Sequence, residues 1–133
     1  QQQMMREVAY LGLGDKVIFT GWLKGDDLRA LYQSADLYVM PSVSEPFGII
    51  PLESIVNGTP VIISKQTGVS EVLSHALKVD FWDTDEMANK ILGVLQNESL
   101  KKTLQEESYK EVKKLNWGLA AKKVADVYKK FFK

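Results

Sequence analysis

The chain has 133 residues, of which 45% are hydrophobic and 26% charged, enough for one buried core and ordinary for a globular domain. Seventeen basic and seventeen acidic residues cancel, which argues against a nucleic-acid or anionic-membrane partner drawn by net charge. Cysteine is absent and His75 is the lone histidine. This excludes disulfides, thiolate metal sites and a cysteine nucleophile, and it fits a reducing cytoplasm. The best apolar stretch, Gly48 to Val56, is broken by Pro51 and Glu53 and falls far short of the roughly 20 residues of a membrane span. The opening Gln1-Gln2-Gln3-Met4-Met5 carries no signal-peptide pattern and reads as a cut within a longer gene.

In chain order, residues 4–11 predict a short helix ending near Gly12 and Gly14. Lys16 to Thr20 is a compact apolar run closed by Gly21 and predicts a buried strand. Asp26 and Asp27 open a helix that places Leu28, Leu31, Tyr32 and Ala35 on one side. Leu37 to Met40 predicts a strand stopped by Pro41, and Pro51 suits the first turn of a helix reaching Asn57-Gly58. Val61 to Ile63 is a further strand, Gly68 to Leu73 a short helix, and Leu77 to Phe81 a fourth strand. Asp83 with Glu86 resembles a capping box for a helix to about Gln96. Two helices follow, over 98–114 and over 117–132 with Asn116 as cap. Trp117, Ala121, Val124, Tyr128 and Phe131 form an apolar stripe on the last one; Trp117 and Tyr128 are read as core or interdomain packing, while Phe131 and Phe132 are expected to be exposed. The lysines from Lys101 onward alternate with acids, which predicts a solvated helical face.

Strands alternating with helices predict βαβ units, a single α/β domain over residues 1–133, and a parallel Rossmann-like sheet with helices on both faces. In such sheets ligands bind beyond the carboxyl ends of the strands. The loop Pro41 to Glu53 stands out there. Gly48 allows a ligand to approach the backbone without a Cβ in the way. The helix beginning near Ile49 turns free N–H groups toward the same crevice, a place for phosphate. Glu45 and Glu53 bracket it, and carboxylates beside an anion site suit hydroxyl donors such as those of ribose or a sugar. Taken alone, the pair is better read as a helix cap and an exposed helical glutamate.

The surrounding residues tip that balance. The stretch Glu45-Pro46-Phe47-Gly48-Ile49-Ile50-Pro51-Leu52-Glu53, followed by Asn57-Gly58-Thr59-Pro60-Val61-Ile62, resembles the signature of retaining glycosyltransferases of family 4, which have the GT-B fold. Val17-Ile18-Phe19-Thr20-Gly21-Trp22, the block Leu28 to Met40, and Thr67-Gly68-Val69-Ser70-Glu71 resemble further blocks of that family in the same order. The likeness runs over about residues 11–131.

This resemblance implies that the chain is the C-terminal, donor-binding part of a GT-B hexosyltransferase, cut at its N-terminal side. The donor would be a nucleotide-diphosphate sugar. The acceptor would be a saccharide, polysaccharide or lipid-linked sugar, held by an N-terminal domain that precedes this part. Glu53 would bind the ribose hydroxyls, and Glu45 would act at the reacting end against the donor sugar. The backbone N–H groups of Phe47, Gly48 and Ile49 would hold sugar and distal phosphate. The turn Gly21 to Leu23 would lie against the base. No metal or other cofactor is implied, since protein donors neutralise the leaving diphosphate. An arginine and a lysine that clamp the diphosphate would precede the stretch present here, so the chain alone is expected to be inactive. Leu73 to Phe81 is shorter than the family's usual stretch, which suggests a trimmed loop.

Among other residues, Trp22 suits either base stacking or packing on its neighbours, and Lys65 lies near the crevice. His75 suits a capping or surface role, and Asp36 a structural one. Two other functions compete with the transferase. One is a nucleotide-sugar epimerase on a GT-B scaffold, which would need acid and base residues not found here. The other is a non-catalytic flavodoxin-like module, in which the block from Glu45 to Glu53 has no place.

Overall fold

The computed structural model describes residues 2–132. Its elements are α1 (Gln2–Tyr10), α2 (Gly25–Ser34), β1 (Tyr38–Met40), α3 (Ile50–Val56), β2 (Val61–Ser64), a 3₁₀ turn (Gly68–Glu71), β3 (Leu77–Val79), α4 (Thr84–Gln96), α5 (Glu98–Val112) and α6 (Trp117–Phe131). The strands form one sheet in the order β1-β2-β3. Both pairings are parallel, with Val39 opposite Ile62 and Ile63 opposite Lys78. This is the Rossmann-like α/β arrangement that the alternation of elements predicts.

The core is built on β2. Val61 and Ile63 share one apolar cluster with Met40, Ile55, Val69, Leu73 and Ala76. The intervening Ile62 is also fully buried, so both faces of the central strand are covered, as its unbroken apolar sequence requires. Helix α3 carries Pro51 in its first turn, where a missing N–H costs no hydrogen bond. It stops at Asn57, and Gly58 follows at φ 92°, the left-handed conformation that turns the chain sharply into β2. Asp83, Asn97 and Asn116 each cap a helix by accepting from the N–H three residues on.

One expectation is corrected, and of another only one alternative remains. Residues 17–20 are not a strand: Ile18 is 85% exposed, and β1, at the sheet edge, pairs only with β2 among the described residues. An apolar run becomes a strand only where a neighbouring strand takes its N–H and carbonyl groups. Of the two readings of the α6 stripe, packing into this core is excluded, since no residue of that helix is buried. Trp117 is 85% exposed and Phe131 78%, so periodicity identified the helix without identifying anything to cover it.

Candidate functional site

The loop between β1 and α3 lies at the carboxyl end of β1, and its path is set by contacts with the segment after β2. Ser64 Oγ donates to the Ser42 carbonyl at 2.5 Å. Glu45 forms an isolated parallel bridge with Thr67. The Gly68 N–H donates to the Glu45 carbonyl at 3.0 Å, and the Val69 N–H to the Phe47 carbonyl at 2.6 Å. Two backbone stretches thus run side by side, and glycine permits the approach. A Cβ on Gly68 would stand 2.1 Å from the Pro46 carbonyl oxygen. Gly48 is buried at φ 92°, and a Cβ there would come within 3.1 Å of Glu45 Cγ and 3.2 Å of Met40 Cε.

Glu45 is half-buried and Glu53 exposed. Among the described residues neither carboxylate belongs to an ion pair. Helix α3 receives no side-chain cap, so Glu45 is not serving as one. Glu53 lines a cleft of about 410 Å³ with Gly25, Leu28, Arg29, Tyr32, Leu52 and Asn57. Glu45 is not part of that lining, but both carboxylates act on Tyr38. Burial pushes the Tyr38 hydroxyl above its ordinary value, and Tyr32, Glu45 and Glu53 raise it further by charge. Glu53 thus lines this cleft and Glu45 does not.

Phe47 and Ile49 are exposed beside the buried Gly48, and Leu23 is half-buried. Gly21 adopts φ 69°, consistent with a turn before α2. Trp22 is 84% exposed, with the Lys24 ammonium 5.7 Å from its ring centre. Its neighbours do not bury it. Lys65 reaches Asp80, with Nζ 2.7 Å from Oδ2, and Gln66 donates to the same carboxylate at 2.9 Å. Asp36 accepts from Lys101 at 2.6 Å. Among the described residues no group of three His, Cys, Asp or Glu side chains is placed to hold a metal ion. No helix of the described residues is long and apolar enough to cross a membrane.

The Asp80 pair gives a pH-dependent expectation. The Lys65 bond first, and the Gln66 bond second, hold the Asp80 carboxyl below its ordinary value. A depressed folded-state value means stability that is present above the unfolded value and lost as pH falls through the folded one. Asp80→Asn is therefore expected to lower the melting temperature at about pH 7, and the gap to wild type should narrow by about pH 2.5. Thermal melts at both pH values check it, and an unchanged gap would contradict it.

Sequence reasoning noted the turn at Gly68 without seeing that it clamps the Glu45 loop. The signal was the glycine itself, at a position where the backbone of Pro46 leaves no space for a side chain.

Residues 1–111 match the family of glycosyl transferases group 1. The chain belongs to this family. An uncharacterised glycosyltransferase of Methanocaldococcus jannaschii is 38% identical over 124 residues, covering 90% of this chain and 32% of that protein. The structure of sucrose-phosphate synthase from Thermosynechococcus elongatus superimposes with a TM-score of 0.84 at 30% identity, over 98% of this chain and 34% of that one. Anabaena HepE, solved in complex with UDP, gives the same TM-score at 20% identity, over 97% of this chain and 36% of its own. The group 1 chain thus spans about a third of the length of these relatives, and its fold is that of a GT-B glycosyltransferase domain.

Proposed function

We propose that residues 1–133 form the donor-binding part of a retaining family 4 glycosyltransferase, which moves a hexose from a nucleotide-diphosphate sugar to an acceptor hydroxyl in the cytoplasm. The observation that carries this reading is the Glu45 to Glu53 loop. Glu45 lies on a backbone clamped beside a buried glycine at the carboxyl end of a parallel strand, Glu53 follows in α3, and neither carboxylate belongs to an ion pair among the described residues. Carboxylates held so, with their hydrogen-bonding capacity free, suit the hydroxyls of a ribose and a sugar. A solved structure of the same fold supports the class of donor: HepE has been solved with UDP-glucose.

In this reading Glu53 holds the ribose and Glu45 faces the donor sugar. The N–H groups of Phe47, Gly48 and Ile49 take sugar and phosphate oxygens, and the Gly21 to Leu23 turn lies against the base. The acceptor, whether glucan, polysaccharide or lipid-linked sugar, is held by further chain. Basic groups from that further chain stabilise the leaving diphosphate. The 133-residue chain is then a binding unit without transferase activity of its own.

Calorimetric titration of the chain with UDP, GDP and ADP tests the reading. Saturable binding of at least one is expected, weakened by about tenfold in Glu53→Ala through loss of hydrogen bonds to a charged acceptor. Binding of none of the three, or binding indifferent to Glu53, would overturn the donor-site assignment.

A further inference from the structure

The segment that clamps the Glu45 loop is itself held at its other end. Glu111 lies in the last turn of α5, where a negative charge is disfavoured by the helix dipole. Its compensation lies outside the helix. One oxygen, Oε2, accepts from the backbone N–H of Ser74 at 2.9 Å and of His75 at 3.0 Å. The other, Oε1, stands 2.9 Å from His75 Nδ1. The side chain is 18% exposed. Burial pushes this carboxyl up, but the bonds from the His75 backbone and ring and from the Ser74 N–H outweigh it and hold it below the ordinary value.

Between this grip and the site the chain is hydrogen-bonded to itself and anchored in the core. Leu73 N–H donates to the Val69 carbonyl at 3.2 Å, and both side chains are buried in the core. Gly68 and Val69 in turn donate to the carbonyls of Glu45 and Phe47. We infer that Glu111 is a positioning residue for the donor site, acting from α5 through the Gly68–Ala76 segment on the loop that carries Glu45. The functional half of this inference rests on the reading of that loop as a donor site; the mechanical half does not.

Amide hydrogen exchange followed by NMR, together with UDP titration, tests both halves on the same chain. Glu111→Ala is expected to speed exchange at Gly68 and Val69 as well as at Ser74 and His75, by about tenfold, and to weaken UDP by a similar factor. Glu111→Gln should restore both, because its carbonyl oxygen accepts the two N–H groups and its amide donates to a neutral His75. His75→Ala keeps the two backbone bonds and should stay within about twofold of wild type.

Faster exchange confined to Ser74 and His75 would overturn the inference, as would a Gln variant no better than Ala. If Glu111→Ala does not fold, Glu111→Asp takes its place. It keeps the charge but loses the reach, so exchange at Gly68 should be faster in Asp than in Gln, and equal rates would refute the coupling. If wild type binds no UDP, GDP or ADP takes its place in the titration; if it binds none of the three, the donor reading fails while the exchange rates still decide the coupling.

Discussion

Glu45→Ala in the complete enzyme is expected to lower kcat by about a hundredfold or more, whereas Glu53→Ala should chiefly raise KM for the donor. The difference follows from position. Glu53 sits one turn inside α3 and lines the cleft with α2 residues; on the proposed reading it would hold the ribose, a part of the donor that changes little during reaction. Hydrogen bonds of similar strength in ground and transition states are lost from both, so they appear in KM. Glu45 lies ahead of Gly48 on the clamped loop, half-buried, where a sugar acquiring oxocarbenium character would gain interaction with a negative charge. That gain exists only in the transition state and its loss falls on kcat. Steady-state kinetics of both variants, normalised to folded fraction by thermal melts, separate the roles. Near-normal kcat in Glu45→Ala with loss in Glu53→Ala would reverse the assignment.

Gly68→Ala should destabilise the domain by about 3 kcal/mol and lower its melting temperature by about 10 °C. The added Cβ would meet the Pro46 carbonyl oxygen at 2.1 Å and Phe47 Cα at 3.0 Å, and backbone atoms cannot rotate away as a side chain can. The two stretches must separate, and separation strains the bonds from Gly68 to Glu45 and from Val69 to Phe47. Gly93→Ala is the contrasting case. It lies within α4, and a Cβ there would meet no atom within 4 Å, so alanine should raise stability by up to about 1 kcal/mol. Denaturant unfolding of the two variants checks the pair. A loss below about 1 kcal/mol for Gly68→Ala would mean the loops yield more readily than close packing implies.

Much of this architecture was legible because local chemistry and global fold agree. Pro51, Asn57-Gly58, Asp83 and Asn116 mark helix ends by their own backbone and capping preferences, and the structure uses them there; the Asn97 cap of α5 is seen only in the structure. The continuous apolar run Val61 to Ile63 could only be a strand covered on both faces, and it is one. Val17 to Thr20 has the same local character but is not paired in the sheet, and pairing is not written in the run itself. The site divides in the same way. Glu45, Gly48 and Glu53 stand out through the family resemblance of the stretch that holds them, whereas Gly68 and Glu111 act across long sequence separations through backbone groups. Side-chain patterns carry no trace of such contacts.

The exposure of α6 has a consequence for how this chain melts. A 15-residue helix with no buried residue draws almost nothing from the cooperative core. Its helicity depends on its alanines, the Asn116 cap, and Lys129 and Lys130 at the favourable end of its dipole. Isolated helices of this length are marginal in water. Fraying of α6 is therefore a gradual helix–coil process, superimposed on the sharp loss of the sheet and α3–α5. An enthalpy fitted to the whole chain as a two-state unit would mix the two, and the van't Hoff value would fall below the calorimetric one.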